Sequence, residues 1–242
     1  MQRYFVKNNQ IRNNEALIMG NDVHHIKDVL RYKEKQEIYV LDEQGKTYLC
    51  EIIQIQKDLV TCLIKETHLP SRANYKITIA QALIKKDRFE LFLEKATELG
   101  IYAIFPTIFK RSIIKIDSER EDKKISRYLS IVKEASEQSE RCMMPFIYDF
   151  TSINHLPFDQ YDSILVCYER ADDTFLLKNV LKTMSKSENI LVLIGPEGGI
   201  TSDELVFLES KNAKIVSLGK HILRSETASL FILSAIRYEW EY

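Results

Sequence analysis

Glycine is scarce in this sequence: seven in 242 residues, with five prolines and a single tryptophan. The four cysteines, Cys50, Cys62, Cys142 and Cys167, are scattered and never adopt C-x-x-C spacing. That argues against a cysteine-ligated zinc site and for free thiols in a reducing compartment. No apolar run approaches the roughly 20 residues needed to cross a bilayer. The opening "MQRYFVKNNQ" has no apolar h-region, so no secretory signal and a cytoplasmic location are expected. The dinucleotide fingerprint G-x-G-x-x-G is missing, and so is the phosphate-cradling G-x-x-x-x-G-K-[ST]. Internal repeats and low-complexity tracts are missing too. No sign of charge dominates: 34 Lys and Arg stand against 35 Asp and Glu, a net of −1. What remains is an ordinary globular composition, 45% hydrophobic and 29% charged, long enough for one or two buried cores.

The charge is unevenly spread. Residues 1–71 are balanced, residues 72–133 carry a net +6, and residues 134–242 a net −7. A basic stretch inside a neutral chain holds phosphates if its cations cluster, because potentials act over a Debye length of about 8 Å. A solvated helix face accounts for the same charge count.

Two rhythms divide the chain. Residues 1–67 read as short strands: "RYFV", "EALIMG", "KQEIYVLD", "KTYLCEIIQI" and "DLVTCLIKE". The turn "DEQGK" makes the third and fourth a hairpin. "DVHHIKDVLRY" predicts a short helix with Val23, Ile26, Val29 and Leu30 on one face. Strands at this spacing predict a small, partly open barrel. The polar "THLPSRAN", 67–74, is the expected linker between a domain over 1–70 and another over 74–242. Beyond it strands and helices alternate, from "YKITIAQAL" and "KDRFELFLEKATELG" to a C-terminal helix, which predicts α/β architecture with a mostly parallel, helix-covered sheet. Asp87 and Glu90 have capping-box spacing, and Gly100 is the expected helix stop. A helix is also predicted over "DTFLLKNVLKTM", 173–184.

Two stretches carry the signals for chemistry. In "LIGPEGGITSDE", 193–204, three of the seven glycines fall within five residues, between an apolar strand and a helix capped by Thr201 and Glu204. Glycine there permits close approach of a ligand, and α/β proteins bind ligands beyond the carboxyl ends of their strands. Glu197 repels phosphate, so a neutral or cationic ligand fits better. The second stretch, "LGKHILRSETA", 218–228, also follows a strand and packs Lys220, His221, Arg224, Ser225, Glu226 and Thr227 together. On composition alone, Arg224 and Glu226 could equally be an ion pair at the start of the last helix. The adjacent His24 and His25 point in different directions on a helix, so no metal site is expected; an RNA contact or a packing role suits them better.

The pair "LIGPEGGITSDE" and "LGKHILRSETA" resembles the signature of the trefoil-knotted (SPOUT) methyltransferases, and within them the ribosomal RNA small subunit methyltransferase E family. "RYFV", "HHIKDVLR", "QALIKKDRFELFLEKATELG", "KRS" at 110–112 and "EASEQSER" at 134–141 agree in the same order, so the resemblance spans both domains. Lys85, Lys86, Lys220 and His221 depart from the pattern. The resemblance implies a PUA-like N-terminal barrel used on RNA, a C-terminal knot, a homodimer, and S-adenosylmethionine as cofactor. It implies methylation of N3 of a uridine in 16S rRNA of the small ribosomal subunit, with no metal and no membrane. Ile194, Gly195, Pro196, Glu197, Gly198 and Gly199 are then one cofactor wall. Leu218, Gly219, Ile222, Leu223, Arg224 and Thr227 are the other. Arg224 would stabilise the uracil oxygens or a phosphate, and Glu226 would orient Arg224 or accept a proton. Arg3, Arg31, Lys85, Lys86, Arg88, Arg111, Gln138 and Arg141 are the candidate RNA contacts, Gln138 and Arg141 reaching the site from the partner subunit. A ribose or guanine methyltransferase of the same fold, a non-catalytic RNA-binding protein and a nucleotide-dependent dehydrogenase are the rival readings. The absent dinucleotide fingerprint makes the last of these weak.

Overall fold

Apolar side chains at alternate positions make strands that bury one face, and the longer strands within residues 1–68 follow this pattern. The computed structural model describes residues 1–70, 74–114, 121–171, 175–186 and 189–241. Its first strands are β1 (Arg3–Phe5), β2 (Ile11–Arg12), β3 (Glu15–Met19), β4 (Glu37–Leu41), β5 (Thr47–Ile55) and β6 (Leu59–His68). They pair in the order β1-β4-β5-β6-β3-β2, antiparallel except for β1 with β4. Tyr4, Ile18, Ile38, Val40, Ile52 and Val60 fill the core on one side. The β4–β5 turn is held by Asp42, whose carboxylate accepts the backbone N–H groups of Gln44 and Lys46 and the Tyr48 hydroxyl.

The helix expected over 22–32 is instead a single α turn, α1 (Asn21–His24), running into a π turn over His25–Val29. The wider turn leaves Val23 and Ile26 in the core but rotates Val29 outward, 58% exposed. The two histidines diverge. His24 pairs with Asp28 at the surface, whereas His25 Nδ1 meets the Tyr4 hydroxyl at 3.2 Å.

The chain divides into two compact units, residues 1–72 with 136–144, and residues 73–135 with 145–242. Segment 136–144, expected in the second domain, thus clusters with the first. Arg3 pairs there with Glu140 at 3.3 Å, and Gly45 leaves room for Met143, whose Cγ would lie 2.6 Å from a Cβ at that position. Residues 71–73 of the expected linker lie outside the described residues.

The second unit follows a different logic. Its strands are β7 (Lys76–Ala82), β8 (Ala103–Ile108), β9 (Phe146–Ile147), β10 (Thr151–Ser152), β11 (Ser163–Cys167), β12 (Asn189–Ile194) and β13 (Lys214–Val216). All pair in parallel, in the order β10-β8-β7-β12-β11-β13, with β9 on the same β8. The central strands β7, β12 and β11 are buried at nearly every residue, as parallel strands covered on both faces must be. Pro106 of β8 has no N–H to donate, and it sits in the gap between the residues that pair with β9 and those that pair with β10.

Helices α2 (Lys86–Glu98), α3 (Glu121–Gln138), α4 (Leu177–Leu181), α5 (Ser202–Ser210) and α6 (Ser225–Glu241) complete the unit. Phe92 of α2, Val132 of α3 and Leu233 of α6 pack on one face of the sheet; Leu208 of α5 packs on the other with Phe105 and Ile153. The helix expected over 173–184 shrinks to α4, because Phe175 and Leu176 are drawn into an extended bridge beside Ser217; residues 172–174 lie outside the described residues. The Asp87/Glu90 box does not form: α2 has no side-chain cap, and Glu90 accepts from Arg127 at 2.9 Å instead. Gly100, at φ +83°, ends that helix as expected.

Candidate active site at the carboxyl ends of three strands

Register brings the site together. Gln81, Ile194, Cys167 and Val216 stand level across β7, β12, β11 and β13. The segments leaving β11, β12 and β13 therefore emerge side by side and enclose a cleft of about 400 Å³. Ile194, Gly195, Pro196, Glu197 and Gly199 form one wall, and Leu218, Gly219, Ile222, Leu223 and Arg224 another. A third wall, Cys167, Tyr168, Glu169 and Arg170, was not foreseen. Its signal was the strand "SILVCYE", but nothing local says that this strand lies between β12 and β13. Ile200, His221, Ser225 and Ala228 also line the cleft. Gly198 and Thr227 do not. Gly198 is covered by Arg111, whose Nη1 donates to its carbonyl at 3.0 Å, and Thr227 is exposed on the first turn of α6.

Two glycines are explained by the space around them. A Cβ on Gly195 would sit 2.6 Å from Ile200 Cγ1, so the loop closes on itself only with glycine there. Gly219 has φ +116° and open space on its Cβ side, which leaves the cleft mouth clear where a side chain would be strained. Helix α5 opens with the expected capping box. Thr201 and Glu204 bond reciprocally, and the buried Glu204 carboxylate also accepts the Lys110 backbone N–H at 2.7 Å. That bond ties the end of β8 to the glycine-rich loop.

Beneath the cleft lies a buried polar network that the sequence reading missed. Ser225 Oγ donates to the Gly195 carbonyl at 2.7 Å and accepts from Gln81 Nε2 at 2.8 Å. Gln81 Oε1 in turn accepts the Ser229 hydroxyl. Every polar atom of this set has a partner, as low-dielectric surroundings require. Burial also pushes the Cys167 thiol above its ordinary pKa, so this part of the wall stays uncharged.

The two catalytic candidates do not meet. Arg224 is exposed at the cleft and forms no ion pair among the described residues. The Glu226 side chain, 8% exposed, turns toward Arg88, with Oε1 3.7 Å from Arg88 Nε. Arg88 also donates to Glu197 at 3.3 Å. The pairing of Arg224 with Glu226 that their spacing suggested is therefore replaced by an Arg88 bridge between Glu226 and Glu197.

The RNA candidates fall into two groups. Arg3, Arg31, Gln138 and Arg141 belong to the first unit, and Lys85, Lys86, Arg88 and Arg111 to the second. Arg31 and Lys85 are exposed with no side-chain partner among the described residues. Arg3 is committed to Glu140, Lys86 to Glu90, Arg111 to the Gly198 carbonyl, and Arg141 to the Met143 carbonyl. Among the described residues no group of three or more His, Cys, Asp or Glu could hold a metal ion, and no helix is long and apolar enough to cross a membrane.

Comparison with known proteins agrees with this geometry. Residues 71–237 match the RNA methyltransferase domain family, and residues 18–65 the RNA methyltransferase PUA domain family. A ribosomal RNA small subunit methyltransferase E of Bacillus subtilis strain 168 is 36% identical, covering 100% of this chain and 98% of its own length. The protein of that name in Rickettsia conorii is 32% identical over 95% of this chain and 93% of its own. The crystal structure of a ribosomal RNA small subunit methyltransferase E from Neisseria gonorrhoeae, bound to S-adenosyl methionine, superposes with a TM-score of 0.86 at 28% identity, covering 99% of this chain and 98% of that one. With a family model spanning most of its length and relatives matched end to end, this chain belongs to the ribosomal RNA small subunit methyltransferase E family.

Proposed function

We propose that this protein transfers the methyl group of S-adenosylmethionine to N3 of one uridine in the 16S rRNA of the small ribosomal subunit, acting in the cytoplasm as a homodimer. The observation that carries the reading is the cleft where the ends of β11, β12 and β13 meet, lined in part by Arg224, which forms no ion pair among the described residues. Its residues fit the cofactor. Ile194, Leu218, Ile222 and Leu223 offer apolar surface to a flat, uncharged adenine. Glu197 and Glu169 bring negative charge to a cleft meant for a cation, and the φ of +116° at Gly219 disfavours any side chain at that point of its lining. The C-terminal segment is knotted in this reading, and the Ser225–Gly195 hydrogen bond supports it by holding the start of α6 against the loop that follows β12.

S-adenosylmethionine, when bound, supplies an electrophilic methyl group on a sulfonium. The protein's task is then to place uridine N3 about 3–3.5 Å from that carbon, in line, and to stabilise the negative charge that spreads to the uracil oxygens as the N3 proton leaves to solvent. Arg224 does the second: its guanidinium is exposed, permanently charged and without an ion-pair partner among the described residues. Glu226 faces Arg88 and not Arg224, so it serves as the anchor of that cation and takes no part in the charge stabilisation. Arg31 and Lys85, exposed and without a side-chain partner among the described residues, hold RNA phosphates, with Gln138 and Arg141 serving the partner subunit's site.

Calorimetric titration with S-adenosylmethionine, followed by methyl transfer to small subunits lacking the modification and nucleoside analysis of their RNA, tests this. The account expects one cofactor per chain and 3-methyluridine as the product. A ribose-methylated nucleoside or a methylated guanine would overturn the N3 assignment, and an absence of cofactor binding would overturn the enzyme reading.

A further inference from the structure

We infer that Arg88 is a positioning residue of the cofactor cleft, anchored by Glu226 and acting through Glu197, and is not an RNA phosphate contact; the inference rests on the cofactor reading above. Arg88 lies in the first turn of α2 and spans two carboxylates. Its Nη1 is 3.3 Å from Glu197 Oε1, and its Nε is 3.7 Å from Glu226 Oε1. Glu197 lines the cleft; Glu226 does not. Glu226 is the more buried of the two, with side chains 8% and 31% exposed, and its Oε2 is buried without a hydrogen-bond partner among the described residues. A buried carboxylate with one oxygen unpaired depends on its remaining counter-ion. If Arg88 swung out to a phosphate, it would strand Glu226 and release Glu197 together. The shared guanidinium therefore stays in place and fixes the Pro196–Gly198 segment from the α2 side. Lys85, three residues earlier and exposed without a partner among the described residues, is free to take the phosphate role.

The test uses the full-length protein with Arg88→Gln, Glu197→Gln, and the two combined. S-adenosylmethionine affinity is measured by calorimetry, and binding to small-subunit RNA as a function of salt. Arg88→Gln should weaken cofactor binding about tenfold and raise the cofactor KM, with kcat at saturation and the RNA salt slope unchanged. The combined variant should be no weaker than either single one, because groups that act as a unit are not additive. If Arg88→Gln unfolds the protein by stranding Glu226, Arg88→Gln with Glu226→Gln removes the stranded charge and should show the same cofactor defect. Wild-type cofactor affinity in a folded Arg88 variant overturns the inference. So does a salt slope reduced by about one with cofactor affinity intact, the signature of a lost phosphate contact. Failure of the wild-type protein to bind the cofactor would overturn the functional reading itself, and is seen before any variant is made.

Discussion

Ser225 Oγ donates to the Gly195 carbonyl at 2.7 Å, so the first residue of α6 is bonded to the first glycine of the loop after β12. Two cleft segments 30 residues apart are joined by one hydroxyl that Gln81 also holds. Ser225→Ala leaves the Gly195 carbonyl without that partner. An unmet buried acceptor costs about 1–3 kcal/mol. Chemical denaturation should show a loss in that range, and calorimetry a weaker cofactor complex.

Gly195→Ala should be worse for ligand binding than for folding. The new Cβ would lie 2.6 Å from Ile200 Cγ1, and Ile200 lines the same cleft, so relief of the clash displaces a wall of the pocket. Cofactor titration should show binding reduced by at least about tenfold, equivalent to about 1.4 kcal/mol, while far-UV circular dichroism stays that of the parent protein.

Arg224→Ala should separate chemistry from folding. The side chain is exposed and forms no ion pair among the described residues, so the unfolding midpoint should not move. Losing one preorganised donor at a developing oxyanion typically costs about a hundredfold or more in rate. Single-turnover methyl transfer should show that loss, and it should exceed any loss of cofactor affinity.

Acid stability should depend on Glu90. The hydrogen bond from Arg127 holds its carboxyl below the ordinary value of 4.5. A carboxyl depressed in the folded state stabilises it above the unfolded-state pKa, and that contribution is lost as pH falls through the folded value. Glu90→Gln should therefore be less stable than the parent at neutral pH. The two denaturation curves should converge as pH drops below about 4.5. Parallel curves down to acid pH would show that the pair contributes nothing.

The parts legible in the sequence were local ones. The Thr201/Glu204 capping box, and with it the start of α5, follows from residue types three positions apart, and the structure has it. The glycine-rich loop and the segment after Gly219 lie on one cleft because both leave parallel strands at the same carboxyl end of the sheet. Strand order was not legible. β11 pairs with β12 and β13, so Cys167–Arg170 becomes a cleft wall, and no feature of "SILVCYER" announces that neighbourhood. Local grammar also failed where a distant residue competed. Arg127 takes Glu90 from the expected box with Asp87, Arg88 takes Glu226 from Arg224, and Ser217 draws Phe175 and Leu176 out of the helix predicted there.

The central claim is methylation at uridine N3, and reverse transcription tests it most directly. Small subunits from cells lacking this gene would be incubated with the purified protein and S-adenosylmethionine, and their 16S rRNA copied by primer extension. A methyl group on N3 removes the imino proton that pairs with adenine. The account therefore predicts a new stop at a single uridine, present only when both protein and cofactor are supplied. Methyl incorporation without a stop would contradict the N3 assignment, and no incorporation into subunits or free RNA would contradict the methyltransferase account altogether.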